Sequence, residues 1–458
     1  MLDSNFNRDL KTIIHYILDY GIKNVPFKVD SQSLRSDKNQ KEFVSKVHLG
    51  YMKAQNLIVQ NLLLLGDKRR RVKNQIKEYK KGKKEKELIQ KYEKDLEIIM
   101  YKERILRKVA DTVAWALLGN DLTVIRRLYK HIPPVEIFNS NLKHDLEVVE
   151  KIFKENNTHF PLMTDITSFI QIGDVLVKDY FGNATQILEL KEGRVNEEIE
   201  KIIKDYFNNR CDRKFYFELS EKDMKFKKQF ERYIKQQQKG LKTTGIINSG
   251  KGKDDVTGFD IQILDEVFYT QHFDNIISSM LKEVDKKNYS IRTIDECLIV
   301  GVYNSSKIPI HEGFEVWKQG IGIDFPTINL IQFINSPVSF PLFSHPFSID
   351  DKVKLANANK KVLMSLDIKK WFEILESKGL KVKLLTKKQT ARMNTVPNHS
   401  KAFEYKGQAI EVKYGEVSQI LFDGIFERMF NQLVRPSSIG DFIKHGLSKA
   451  INQIKQDK

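Results

Sequence analysis

The stretch QIGDVLVKDYFGNATQILELKEG, residues 171–193, decides the reading of this chain. It sets Asp174 at the head of one apolar strand and a Glu-x-Lys triplet, Glu189, Leu190 and Lys191, at the end of a second. One hairpin spans the distance between them. Alternation along a strand sends Glu189 and Lys191 to the same face and turns Leu190 back toward the core. Two carboxylates and one ammonium meeting at a sheet edge can hold a divalent cation and activate water beside a phosphodiester. The same three residues would also serve as a surface salt bridge across a hairpin.

Working outward, residues 141–155 form an amphipathic helix with Leu146, Val149 and Ile152 inward. A further helix follows from Val195 to Phe207, and KFYFEL, residues 214–219, is expected as a strand. The region before Pro133-Pro134 reads as helical. Phe43, Val47, Tyr51, Ala54 and Ile58 recur at helical spacing, and Leu62 and Leu65 continue the stripe until Gly66-Asp67 interrupts it. A second pattern runs from Ile89 to Leu117 and stops near Gly119. Between them lies KRRRVKNQIKEYKKGKKEKE, the tip of a helical hairpin. There Arg69, Arg70, Arg71, Lys80, Lys81, Lys83 and Lys84 are candidate contacts to a phosphate backbone, or else a solvated helix face.

Beyond residue 240, GLKTTGIINSGKGKDDVTG reads as a linker or mobile loop. A second α/β portion follows, with strands expected at Ile294–Tyr303, Ile328–Ile334 and Gly379–Leu385, and helices at Asp274–Val284 and Ile368–Lys378. The fold class is therefore α/β in four segments. Residues 1–135 are a helical region with a basic arm, 136–240 a compact core around the opening stretch, 241–258 a linker, and 259–458 a C-terminal α/β domain.

Composition narrows the classes. The 458 residues are 41% hydrophobic and 30% charged, a globular mixture, and the net charge of +17 favours a polyanionic partner. Only two cysteines occur, Cys211 and Cys297, which excludes a disulfide scaffold, and no C-x-x-C or H-E-x-x-H supports zinc chemistry. The first twenty residues read as an amphipathic helix rather than a signal peptide. The longest apolar run, around Leu62–Leu65, is far below membrane-spanning length. A soluble, cytoplasmic protein with no membrane partner is the expectation.

The order of elements and the acids at Asp174 and Glu189-Leu190-Lys191 resemble the PD-(D/E)XK, or restriction-endonuclease-like, nuclease superfamily over residues 141–235. The resemblance implies a phosphodiester hydrolase using Mg²⁺ (or Mn²⁺). Asp174, Glu189 and the carbonyl of Leu190 would be metal ligands and Lys191 the catalytic ammonium. The superfamily also adds an acid from the preceding helix, here Glu150 or Glu147. RecB-like members carry a Q-x-x-x-Y element, matched by Gln229 and Tyr233, although other elements intervene after Lys191. Nucleic acid is the implied partner, DNA favoured, with a protein partner or a second copy of the chain also open. Use in restriction or anti-phage defence is implied by association alone. The competing expectation is a non-catalytic nucleic-acid-binding accessory protein with a degenerate core.

Two further motifs are set aside. Gly245 to Lys251 fits most of a P-loop, but Gly252 stands where the Mg²⁺-binding Ser or Thr belongs. Glu411-Val412-Lys413 repeats the Glu-x-Lys pattern without an Asp-bearing strand upstream and reads as a cross-strand charge pair, kept as a reserve site.

Overall fold

In the computed structural model, the residues described are 2–81, 86–132, 142–190, 194–253, 258, 260–263, 268–305, 310–394 and 402–456. The protein mixes helices with several small antiparallel sheets. A helix α1, Ser4–Leu18, is capped by the Asp3 carboxylate on the Phe6 amide and lays Leu10, Ile13, Ile14 and Ile17 inward. It packs on α2, Asp37–Lys81, which runs antiparallel to α3, Lys86–Leu117. Gly66 and Asp67 do not interrupt α2. Gly66 is buried inside a continuous helix, because packing against α3 outweighs the roughly 1 kcal/mol that an interior glycine costs.

The C-terminal half of α3 is buried on every side, from Ile105 through Trp115. A helix buried around its whole girth belongs at the centre of a molecule, and the charged Arg107, Lys108 and Asp111 within it must therefore find partners there. The short helix α4, Leu122–Leu128, follows and buries Val124, Ile125 and Leu128. One connected apolar cluster draws on all three longer segments of the sequence, from Leu2 to Leu447.

The opening stretch folds as the expected hairpin, with Asp174 just before its first strand and Glu189 just after its second. A further strand that the sequence reading did not place precedes it. Helix α5, Leu142–Glu155, leads into β1, His159–Met163, then β2, Val175–Asp179, and β3, Thr185–Leu188. These make a three-stranded antiparallel meander with β2 in the middle, paired from Met163 to Val175 and from Val175 to Leu188. A buried glutamine pins the meander to the helical hairpin. Gln55 of α2 accepts the Met163 amide at 2.9 Å and donates to the Pro161 carbonyl at 3.3 Å.

After β3 the chain is helical: α6, Arg194–Asn209, α7, Asp212–Ser220, and α8, Met224–Ser249. KFYFEL is thus helix rather than strand. Phe215 and Leu219, four apart, both pack on the small cluster of Ile199, Ile202, Phe226 and Phe230, so the helical period wins over the alternation. Residues 240–249 are the end of α8 and not a linker, which also removes the P-loop reading. Gly250 stops this helix in the left-handed region, and β4, Lys251–Lys253, pairs with β5, Asp260–Gln262.

The C-terminal half centres on an antiparallel sheet ordered β6-β7-β9-β8, with α9, Asp274–Lys287, against β6, Tyr289–Ile294, and β7, Leu298–Asn304. The strand expected at Ile294–Tyr303 begins later, because Asp295 and Glu296 turn the chain with positive φ. At Ile328–Ile334 only β8, Ile328–Asn329, is strand. The Asn329 side chain then caps a 3₁₀ turn that buries Leu330, Phe333 and Ile334. Strand β9, Lys360–Leu366, sits inside this sheet and escaped the sequence reading. Helix α10, Ile368–Ser377, leads to β10, Lys381–Leu384. Next come β11, Glu404–Tyr405, β12, Gln408–Tyr414, and β13, Val417–Ile420, before the closing helix α11, Pro436–Gln456. Glu411 lies opposite Lys383 across the β10–β12 ladder, the charge pair expected of it.

Replacing Gln55 by alanine should leave the Met163 amide unsatisfied and lower stability by about 1–3 kcal/mol, read by chemical denaturation. Stability equal to wild type would mean that the clamp is not what holds β1 to α2.

Candidate active site

The head of β2 and the end of β3 meet in one pocket. Gly173 takes a left-handed φ of +70°, and a Cβ there would lie 2.9 Å from the Leu188 carbonyl, so glycine is required for the chain to enter β2 at this point. The next residue, Asp174, is tied on both sides by its main chain. Its amide donates to the Leu188 carbonyl at 2.8 Å and its carbonyl accepts from the Thr164 amide at 2.9 Å. Its carboxylate then accepts the Leu190 amide at 2.6 Å. Asp174 therefore grips the residues on either side of Glu189, and both acids face a pocket of about 260 Å³.

Residues from three other parts of the chain complete its wall. Thr164, Asp165, Thr167 and Ser168 come from the turn after β1, Arg107 from α3 and Gln236 from α8. Arg107 is buried, and its guanidinium donates to the Thr167 carbonyl at 2.9 Å and to the carbonyl of Asp165. Burial holds this guanidinium below its ordinary range, while Asp165, Glu103 and Asp111 oppose the shift. The Asp165 carboxyl is pushed up, first by burial and further by the charge of Glu189, against the pull of Arg107. Ser168 is fixed through Asp111, which accepts its amide at 2.8 Å and its hydroxyl at 2.5 Å. Gln171 accepts the amides of Lys130 and Ile132 at 2.7 and 3.2 Å and holds Ile132 at the rim.

Of the residues singled out in sequence, Asp174 and Glu189 are brought together and Leu190 is bonded to one of them. Lys191 lies outside the described residues, as do Lys83 and Lys84. Glu150 is not at this pocket. Its carboxylate accepts from Asn56 at 3.1 Å and lines a separate groove with Glu147, since its face of α5 is turned to α2. Gln229 is likewise elsewhere, donating to Asn196 of α6 at 3.1 Å. Its helix α8 nevertheless packs on β3, and Tyr233 stands within electrostatic reach of Glu189. Two turns beyond Gln229, Gln236 is the α8 residue that reaches the pocket. Asp165, Arg107 and Gln236 were missed. Asp165 had a signal, an acid directly after an apolar strand, whereas nothing in the sequence pairs Arg107 with it.

The donor set is hard oxygen, which suits a cation that keeps several of its waters. Among the described residues, however, no group of three or more His, Cys, Asp or Glu is placed to hold a metal ion.

The basic hairpin divides into two kinds of residue. Arg69 is structural, with its guanidinium 3.1 Å from Glu103 and both side chains largely buried. Arg70 pairs with Asp67 one turn away, and Lys80 reaches Glu93 across the hairpin beside the stacked rings of Tyr79 and Tyr92. Arg71 and Lys81 are exposed. No helix of the described residues is long and apolar enough to cross a membrane.

Gly173→Ala should cost at least about 1 kcal/mol in denaturation and displace Asp174; unchanged stability would show that the left-handed turn is not enforced. Arg69→Ala should cost roughly 3 kcal/mol by stranding Glu103, whereas Arg71→Ala should stay within about 0.5 kcal/mol of wild type. Equal losses in the two variants would contradict this division of the arm. No protein-family model, curated protein or solved structure matches the chain, so the chemistry of this pocket rests on its own residues.

Proposed function

We propose that this protein is a metal-dependent nuclease that hydrolyses phosphodiester bonds of nucleic acid, DNA favoured, with Mg²⁺ or Mn²⁺ as its cation. The observation that carries the reading is the grip of Asp174 on the two residues flanking Glu189, which presents two carboxylates to one pocket at adjoining strand ends. Helix α5 leads into the hairpin β2–β3 and helix α6, as in a restriction-endonuclease-like core, while β1 is an added strand and the strand expected after α6 is helix α7. The net charge of +17 and the exposed Arg71 and Lys81 suit a polyanionic partner. Restriction or anti-phage defence is the setting we favour.

In this reading Asp174, Glu189 and the Leu190 carbonyl hold the cation. A bound divalent cation polarises the phosphoryl group and lowers the pKa of a coordinated water. Lys191 orients the attacking water and balances the negative charge that grows on the phosphate, an effect worth about 10²–10³ in rate for one such donor. Arg107, which lines the same pocket with Thr164, Thr167 and Ser168, offers a second positive charge to that phosphate.

A second reading, a nucleic-acid-binding accessory protein with a degenerate core, is favoured by one observation. Among the described residues no group of three or more His, Cys, Asp or Glu is placed to hold a metal ion, and Arg107 lines the pocket together with Asp165, Asp174 and Glu189. The two readings separate on cleavage. Plasmid, linear DNA and RNA should be degraded by wild type with Mg²⁺ or Mn²⁺ and spared with chelator. Asp174→Asn, Glu189→Gln and Lys191→Ala should each lose at least about 10²-fold in rate while still binding. Full cleavage by Glu189→Gln would refute the assignment. Salt-sensitive binding with no cleavage under any cation would establish the accessory role.

A further inference from the structure

A second concave site lies on the far side of α4. Leu122, Thr123 and Arg126 of that helix face Gln419 to Phe422, Gly424, Ile425, Arg428 and Phe442 across a cleft of about 370 Å³. Two arginines share this cleft. The Arg428 guanidinium carbon lies over the Phe442 ring, 4.3 Å from its centre, a cation–π contact that holds the group at the cleft before any ligand arrives. An Arg126 guanidinium nitrogen lies against Gly424, 3.5 Å from where a Cβ would stand. Among the described residues, neither guanidinium has a hydrogen-bonded or ion-paired carboxylate.

The acids nearby act on the pair without bonding to it. Glu427 is half-buried, its carboxyl is pushed up by desolvation, and it accepts from Asn431 at 3.1 Å. Its charge is the strongest that opposes the shift of Arg126. Asp423 acts on Arg126 and Asp121 on Arg428 only through space. Both guanidiniums lie below their ordinary range, chiefly through desolvation, although Arg126 as a residue stays exposed and Arg428 half-buried, and Arg428 also through the charge of Arg126. Two like charges thus share a concavity in which no carboxylate of the described residues is bonded to either, an arrangement that an incoming anion would relieve.

We propose that this cleft is a phosphate-monoester site, with Arg126 and Arg428 as its two anion ligands. A phosphate monoester carries about −1.5 to −2 charges near neutrality and presents three acceptor oxygens, which matches two guanidinium forks; a carboxylate would satisfy one. The cleft is larger than a phosphate needs, and Ile420, Phe422 and Phe442 give the remainder an apolar, aromatic wall suited to a nucleoside base. The ligand class is therefore a nucleoside 5′-monophosphate, free or at the end of a polynucleotide. This inference does not rest on cleavage chemistry at the acid pocket.

Titration calorimetry of the full chain with a nucleoside 5′-monophosphate, the unphosphorylated nucleoside and inorganic phosphate tests it. The monophosphate should bind more tightly than phosphate, and the bare nucleoside should bind least. Arg126→Gln should weaken the monophosphate by about tenfold. Arg126 is exposed, so the fold should survive the change. The exposed Arg213→Gln on α7 should bind as wild type does. Competition by a 5′-phosphorylated oligonucleotide, with none by its 5′-hydroxyl form, would place the source at a polynucleotide end; competition by neither would place it in the free nucleotide. Equal affinity of Arg126→Gln and wild type, or monophosphate binding no tighter than the bare nucleoside, would overturn the proposal.

Discussion

The arrangement depends on charge buried within one turn of α3. Lys108 and Asp111 form an ion pair with side chains almost wholly out of solvent, 3.1 Å apart. Each is also committed elsewhere. Lys108 donates to the Pro337 carbonyl at 2.9 Å, and Asp111 accepts the amide and hydroxyl of Ser168. Its neighbour Arg107 donates to carbonyls in the same turn after β1. An isolated buried charge would be prohibitive, and a pair is tolerated only when its remaining hydrogen-bonding capacity is filled. Here the filling is done by two segments far apart in sequence, so the strip fixes the acid pocket and the C-terminal half to the same helix. The specificity of that constraint is its value, since an apolar seam would pack with less regard to register.

From this strip the pocket follows. The turn after β1 is held by α3, and Asp174 is then placed by Thr164 on one side and Leu188 on the other. Gly173 makes the entry to β2 possible. Glu189 is positioned by its neighbours rather than by itself, which is why a half-buried acid can sit at the end of an edge strand. Asp165 is the counterpart to this order: it is brought near Glu189 by the same turn, at the expense of like-charge repulsion that Arg107 partly offsets.

What the sequence disclosed follows from range. Asp174 and Glu189 sit in one hairpin, where alternation, a turn and strand pairing act over a few residues, so their meeting was legible. Arg107 reaches carbonyls 58 and 60 residues away, and no local pattern announces such a contact. Glu150 was placed on the correct helix but on the wrong face, since which side of α5 meets α2 is a matter of tertiary packing. Tertiary packing also overrode local signals at Gly66, where a strong breaker was absorbed into α2, and at KFYFEL, where an alternating pattern became helix. Strand β9 escaped because KKVLMSL begins with two lysines. One of them, Lys360, is buried against Asp351 at 2.8 Å and the Leu281 carbonyl at 2.6 Å, a pairing visible only in the fold.

The two concave sites differ in how the chain handles charge. At the acid pocket, carboxylates are gathered and a single buried arginine is set against them, leaving a surface that can accept a cation. In the α4 cleft, two arginines are gathered and no carboxylate of the described residues is bonded to either, leaving a surface that can accept an anion. The helix between them is only seven residues long. Its Leu128 carbonyl takes the Gln171 amide at 3.0 Å, and the chain beyond it supplies Ile132 to the pocket rim, while its first turns line the cleft. Two concavities of opposite charge are thus joined through one short helix, which lines the second and anchors the chain that rims the first.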